Sequence, residues 1–225
     1  MQTRRFSVLI LLAALTGCSH PAADPEFTQN QLDAQAGQAV GALVRAAVVT
    51  PAVLPLGDTV VPARAVTSLT VPSLNNCGFV FTTEANRIAR SQNAVVNAKG
   101  LPTGLTHDVT VYDTTESAIT ALTQWRKSAA ACPSTPVMIG AEKGVFLVSR
   151  NAPLAALAPN DNVVTSEQFT PVGKNSKPLF LLAVIQRKGA FLSAVYYQQT
   201  RAITPQEAFA VGRVSVGAGT LLPKR

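Results

Sequence analysis

The sequence predicts an α+β domain in which helices pack on an antiparallel sheet and one disulfide holds the central helix. Two apolar runs, 179–186 and 191–198, flank the turn sequence RKGA at 187–190 and are typical of a β-hairpin. Between 115 and 131, apolar residues recur every three or four positions, as on one face of a helix. Cys132 follows that helix and Cys77 begins a predicted strand, so a bridge between them would tie the helix to the sheet.

A first helix is predicted over 28–49, because its apolar residues share one helical face. These residues are Leu32, Ala36, Val40, Leu43 and Ala47. Pro51 ends this helix, since a proline disfavours helical backbone in the residue before it. Residues 50–76 are rich in Pro, Val and Thr, and this composition favours extended segments and loops.

The segment that begins at Cys77 is predicted to start as a strand, since Phe79 and Phe81 alternate along it. A short helix is expected at 83–86. The next strand is predicted over 106–112, where apolar residues recur with a period of two.

The central helix is predicted to start at Asp113, which Glu116 follows at the spacing of a capping box. Pro133 closes it. We expect Trp125 and Cys132 to point inward, with Trp125 packing in the core rather than forming a ligand platform. The residues that share the inward face are Ala118, Leu122, Trp125, Ala129 and Cys132.

The second half of the chain is predicted to hold strands at 145–149 and 163–172, followed by the hairpin. Its first arm, 179–186, is apolar on both alternating faces, which is typical of a strand that lies centrally in its sheet. A last helix begins after Thr204 as N-cap, with Pro205 at the favoured first position. Its inward residues are Ala208, Val211, Val214 and Ala218.

The amino terminus has the pattern of a secretory signal peptide. Arg4 and Arg5 precede an apolar run, 6–15, that is far shorter than the roughly 20 residues of a membrane-spanning helix. The run ends in Leu-Thr-Gly-Cys at 15–18, which resembles the bacterial lipobox. That resemblance implies that the thiol of Cys18 receives a diacylglycerol and that Cys18 becomes the first residue. The alternative is a conventional signal peptide with a chance cysteine.

These patterns divide the chain into a signal peptide at 1–17, a lipidated tether at 18–27 and a single extracytoplasmic domain at 28–225. Two acyl chains suffice for stable anchoring, so the expected location is the extracytoplasmic face of the cell membrane. The net charge of +7 is spread thinly, with no basic stripe that interleaves aromatic residues. Nucleic acid is therefore not an expected partner.

With Cys18 acylated, Cys77 and Cys132 remain, and in an exported protein two such cysteines favour one disulfide. The bridge would close a loop of about 55 residues and stabilise the fold by roughly 4 kcal/mol in the chain-entropy model. The alternative is two free buried thiols. His107, the only histidine after the tether, has no spaced companion, so neither a metal site nor a cofactor is expected.

No catalytic motif is found in the chain. No serine lies in a G-x-S-x-G sequence, and no glycine-rich phosphate loop is present. The only candidate base for a Ser-His-Asp site is His107, at the start of strand 106–112, and we interpret it as a surface or satisfied edge residue. Paired carboxylates that meet through folding stay open as an alternative. The sequence therefore predicts a protein that is not an enzyme.

The stretch from 77 to 133 resembles the extracellular sensor domain of PknH-type mycobacterial receptor kinases, a domain type that also occurs as free-standing lipoproteins. The resemblance covers about residues 30–220 and depends on Cys77, Tyr112, Ala118, Trp125 and Cys132. It implies binding in a cleft on the sheet, without catalysis.

Two functions are therefore expected. The favoured one is a membrane-anchored, ligand-binding or sensor-like lipoprotein, and the alternative is an envelope structural or chaperone-like protein that binds lipids or proteins through apolar surface. A closed aliphatic pocket would favour a lipid or small apolar ligand, whereas a flat exposed patch would favour a protein partner. The sequence identifies no ligand-binding residue.

Overall fold

The computed structural model describes residues 37, 39–62, 69, 71–139, 142–173 and 177–223. Within them the chain forms an eight-stranded sheet in which all paired strands are antiparallel. The strands are β1 (Thr59–Pro62), β2 (Arg87–Val96), β3 (Pro102–Tyr112), β4 (Val137–Ile139), β5 (Glu142–Arg150), β6 (Asp161–Pro171), β7 (Leu179–Lys188) and β8 (Phe191–Gln199). Their spatial order is β1-β2-β3-β8-β7-β6-β5-β4.

Helices pack on both faces of this sheet, and the predicted α+β class is confirmed. They are α1 (39–46), α2 (Thr115–Ala130), α3 (Ala152–Ala155) and α4 (Pro205–Leu221), with short 3-10 helices at Pro51–Val53 and Thr82–Asn86. None of the helices in the described part of the chain has the length and apolar character needed to cross a membrane. Cys18, the tether and the first part of the predicted helix at 28–49 lie outside the described residues.

Strand β7 lies inside the sheet between β6 and β8, as its two apolar faces predict. Leu181 and Ile185 contribute to the core cluster that holds Trp125 of α2. Leu182 and Val184 contribute to a second cluster on the opposite face, against α4. The connection from β7 to β8 is a tight turn in which Gly189 has a φ of 56°, so the predicted hairpin is confirmed.

The N-cap of the central helix lies one residue later than predicted. Its N-cap is Thr114, whose hydroxyl accepts a hydrogen bond from the backbone N–H of Ser117, so Asp113 is not the cap. Trp125 is fully buried, as expected. Cys132 lies two residues beyond the last helical residue and is only half-buried.

The disulfide between Cys77 and Cys132 is present. The strand expected at Cys77 is wrong, because Cys77 lies in a turn with a φ of 54°, in the left-handed region that a sheet residue does not adopt. Phe79 is consequently exposed, whereas Phe81 is buried with its ring centroid 5.9 Å from that of Trp125. The short helix expected at 83–86 is found as the 3-10 helix.

Strand β2 was not predicted, because most of its buried positions are polar. Arg90 is 2% exposed and is held by Asp108 of β3, whose Oδ2 accepts from Nε at 2.8 Å and from Nη2 at 2.6 Å. Arg87 donates to the backbone carbonyls of Leu69 and Val71. These bonds hold the loop before Cys77 against the sheet.

His107 is not a surface or edge residue, since it lies within β3 and is fully buried. Its Nδ1 accepts a hydrogen bond from the backbone N–H of Val49, so the ring proton is on Nε2, which donates to Ser193 Oγ at 2.8 Å. Burial lowers the pKa of His107 to about 3. In this arrangement the imidazole donates to the serine and is not oriented to remove its proton.

Glu167 is a buried carboxyl on the face of the sheet that α2 covers. It is 4% exposed, and Thr165 Oγ1 donates to its Oε1 at 2.7 Å. Burial raises the pKa of Glu167 to about 7, an effect that the Thr165 hydrogen bond only partly offsets. At neutral pH this group therefore destabilises the fold relative to a neutral side chain of the same shape.

We expect Glu167→Gln to change how stability depends on pH. Between the ordinary glutamate value of 4.5 and about 7, the unfolded chain has released this proton and the native protein retains it, so the contribution of Glu167 falls as pH rises. His107 contributes in the opposite direction between about 3 and 6.5, because only the unfolded chain binds its proton there. In Glu167→Gln, the free energy of unfolding should therefore rise with pH up to about 6.5, where the His107 contribution is complete. At about pH 8 it should exceed that of the wild type by up to ~3 kcal/mol.

Urea unfolding across this pH range measures the difference between the two profiles. A Glu167→Gln protein that is less stable than the wild type above neutral pH would contradict the prediction.

Candidate functional site

A cavity of about 220 Å³ lies between α4 and the sheet. Strands β2, β3 and β8 form its floor, and α4 and the loop after the first 3-10 helix form its walls. The buried side chains that line it are aliphatic: Val95, Leu105, Val211 and Val214. Such walls favour apolar groups, because burial of apolar surface is the main favourable contribution that they offer.

The position of α4 is set by its own start. Thr204 is the N-cap and Pro205 occupies the first turn, as the sequence predicts. Thr204 also forms a complete capping box with Glu207. This start places Val211 and Val214 over the sheet, where they pack with Val195 of β8. The cavity is therefore a consequence of how α4 is capped and packed.

One polar cluster lies at the edge of the cavity. The hydroxyl of Tyr197 donates to Glu207 Oε1 at 2.8 Å, and Arg201 donates to both oxygens of that carboxylate, at 2.6 and 2.9 Å. The bonds from Arg201, together with that from the backbone N–H of Thr204, hold the pKa of Glu207 well below its ordinary value. Glu207 is thus ionised and already neutralised by its own neighbours.

Two further charged side chains line the same cavity. Asp58 precedes β1 and is half-buried, and Arg213 lies on α4 and is exposed. Neither side chain forms a hydrogen bond or an ion pair with the residues that the structure describes. The cavity thus combines aliphatic walls with one charge of each sign that has no partner among the described residues.

Two larger and more open clefts are also found. One, of about 400 Å³, crosses the ends of β3, β7 and β8 and is lined by polar residues such as Thr106, Gln198 and Thr200. The other, of about 490 Å³, lies between α3 and α4 and includes Phe209, which is 54% exposed. The α4 cavity is smaller and more enclosed than either of them.

Among the described residues, the predicted disulfide cysteines and Trp125 do not line this cavity. The disulfide and Trp125 belong to the α2 face of the sheet, where Trp125 is enclosed by Phe81 and Tyr196. Trp125 therefore packs in the core, as predicted. Among the described residues, no group of three or more His, Cys, Asp or Glu side chains could hold a metal ion.

Comparison with known proteins gives a likeness among solved structures. No family model and no curated protein matches the chain. The extracellular domain of PknH from Mycobacterium tuberculosis is similar to this chain with a TM-score of 0.44 and 10% sequence identity, over 90% of this chain and 100% of that domain. The resemblance indicated by the sequence is therefore found in the structure at a weak level.

Proposed function

We propose that this protein is a membrane-anchored, extracytoplasmic lipoprotein whose sensor-like domain binds a small apolar group in the α4 cavity, without catalysis. The observation that carries this proposal is the cavity itself, in which buried aliphatic side chains meet a polar edge. A concave, mostly apolar site with a few converging polar groups is the usual form of a small-molecule site.

The extracytoplasmic location is supported by the disulfide. Bridges such as Cys77–Cys132 persist in oxidising compartments and are rare in the cytosol. The lipobox-like sequence that ends at Cys18 supports the same location and adds the means of anchoring.

The anchoring proposal predicts the outcome of metabolic labelling. Cells given a palmitate analogue should label the wild-type protein at Cys18 and should not label Cys18→Ala. Equal labelling of the two proteins would contradict the proposal, and Cys132→Ser serves as a control for loss of an unrelated cysteine.

The binding proposal predicts a change in thermal stability with an uncharged ligand. A monoacylglycerol should raise the Tm of the full-length protein, because a ligand that binds only the native state stabilises it. Ala210→Trp places a large ring at the cavity wall, on an exposed helical position, and should remove this rise.

Ala130→Trp is the matched control, since Ala130 is an exposed alanine at the end of α2 that does not line the cavity. It should retain the full rise in Tm. Equal responses of the two variants would place the ligand elsewhere in the molecule.

A second function, binding of proteins or lipids through exposed apolar surface, is favoured by the groove between α3 and α4. Phe209 lines this groove and is exposed, and exposed apolar groups of this kind occur at interaction sites. Phe209→Ser should abolish this function and leave the monoacylglycerol response of the α4 cavity unchanged.

A further inference from the structure

The charges at the α4 cavity restrict the kind of ligand that it can take. The cavity has about 220 Å³, less than the roughly 300–1,000 Å³ of sites for drug-sized ligands. It therefore suits a single apolar chain segment and not the two chains of an intact phospholipid. This inference rests on the proposed binding function and concerns the part of the ligand that remains outside the aliphatic walls.

Glu207 is not available to that part of the ligand. Its carboxylate accepts two hydrogen bonds from Arg201 and further bonds from Tyr197 and Thr204. A ligand cation at Glu207 would have to displace Arg201. Recognition of a charged group by Glu207 is therefore unfavourable.

Asp58 and Arg213 remain available. They come from different elements, the loop before β1 and helix α4, and both line the cavity. Neither has a hydrogen-bonding or ionic partner in the described part of the chain. Complementary charges fix the orientation of a bound ligand and disfavour binding of ligands whose charges do not match. A head with one sign of charge would satisfy one of these side chains and be repelled by the other.

We infer that the α4 cavity binds a single-chain amphiphile with a zwitterionic head. Its acyl chain lies against Val95, Leu105 and Val211, its anionic group pairs with Arg213 and its ammonium pairs with Asp58. These two ion pairs would distinguish amphiphiles that have the same acyl chain and different headgroups.

The test is a competition between three probes with the same short acyl chain. Lysophosphatidylethanolamine is zwitterionic, lysophosphatidylglycerol is anionic and monoacylglycerol is uncharged. Full-length protein in a nonionic detergent is mixed with equal amounts of all three, and native mass spectrometry measures the bound fraction of each. The wild type should bind the zwitterionic probe about two- to fivefold more tightly than either of the others, the range that partly exposed ion pairs supply.

Charge-removing variants assign the preference to the two side chains. Arg213→Gln should weaken both phosphate-containing probes, and Asp58→Asn should weaken the zwitterionic probe while leaving the anionic one unchanged or stronger. Arg150→Gln is the control, because Arg150 is an exposed arginine outside the cavity. It should leave the order of the three probes unchanged.

The outcomes separate this inference from the binding proposal. If the three probes bind equally and Ala210→Trp prevents their binding, the cavity binds apolar chains and the headgroup inference is wrong. If the wild type binds none of them, both the headgroup inference and the proposed cavity function are wrong. A preference that persists in both Arg213→Gln and Asp58→Asn would also overturn the inference.

Discussion

Asp108→Asn is expected to destabilise the domain by about 3–5 kcal/mol, the cost of leaving one member of a buried ion pair without its partner. Asp108 and Arg90 are each 2% exposed, and the two hydrogen bonds that the guanidinium donates to Asp108 reach the same carboxylate oxygen, Oδ2. The variant keeps the shape of the side chain but removes its charge. The guanidinium of Arg90 then remains buried between the sheet and the loop that ends at Cys77, with Val71 O as a neutral acceptor.

Urea unfolding of the wild type and two asparagine variants measures this cost. Asp161 also pairs with arginines, Arg126 and Arg187, but its side chain is 39% exposed, so Asp161→Asn should cost no more than about 1 kcal/mol. The double variant Arg90→Met with Asp108→Leu should be more stable than Asp108→Asn, because it leaves no buried charge. Equal effects of Asp108→Asn and Asp161→Asn would show that Asp108 and Arg90 do not form a buried ion pair between β3 and β2.

Loss of the disulfide is expected to have an effect of similar size. The Cys77–Cys132 bridge closes a loop with a sequence separation of 55, which corresponds to roughly 4 kcal/mol in the chain-entropy model. Cys77→Ser and Cys132→Ser should each lower the free energy of unfolding by about 2–4 kcal/mol. The double variant should match either single variant, since each already breaks the same bond.

Thiol titration of the unfolded, unreduced protein provides the independent check on that bridge. It should find neither Cys77 nor Cys132 reactive in the wild type, and one reactive thiol in each single variant. Two reactive thiols in the wild type would show that the bridge is not formed in the protein as it is made.

The parts of the fold that follow a local apolar pattern could be predicted from the sequence. Strand β7 is apolar on both faces, which predicts its central place in the sheet. Helix α4 follows Thr204 as N-cap and begins with Pro205, which predicts where the helix starts. Strand β2 could not be identified this way, because it buries Arg90 through a partner 18 residues away. Pairing of this kind depends on the register between two strands, which the local pattern does not contain.

The same limit applies to the candidate site. The α4 cavity is formed by residues from as far apart as Val53 and Val214, and no spacing in the sequence connects them. His107 was assigned to an edge for a related reason, since the strand that covers it, β8, lies more than 80 residues later. The inward residues of α4 were the only local signal of the site, and they were identified as core.

The central claim, that the α4 cavity holds an apolar ligand, is tested most directly by native mass spectrometry of the protein extracted gently from its own membrane. The wild type and Ala130→Trp should each carry a bound molecule that survives extraction, and Ala210→Trp should carry none, because its indole occupies the cavity wall. The same bound mass on all three proteins, or on none of them, would contradict the claim.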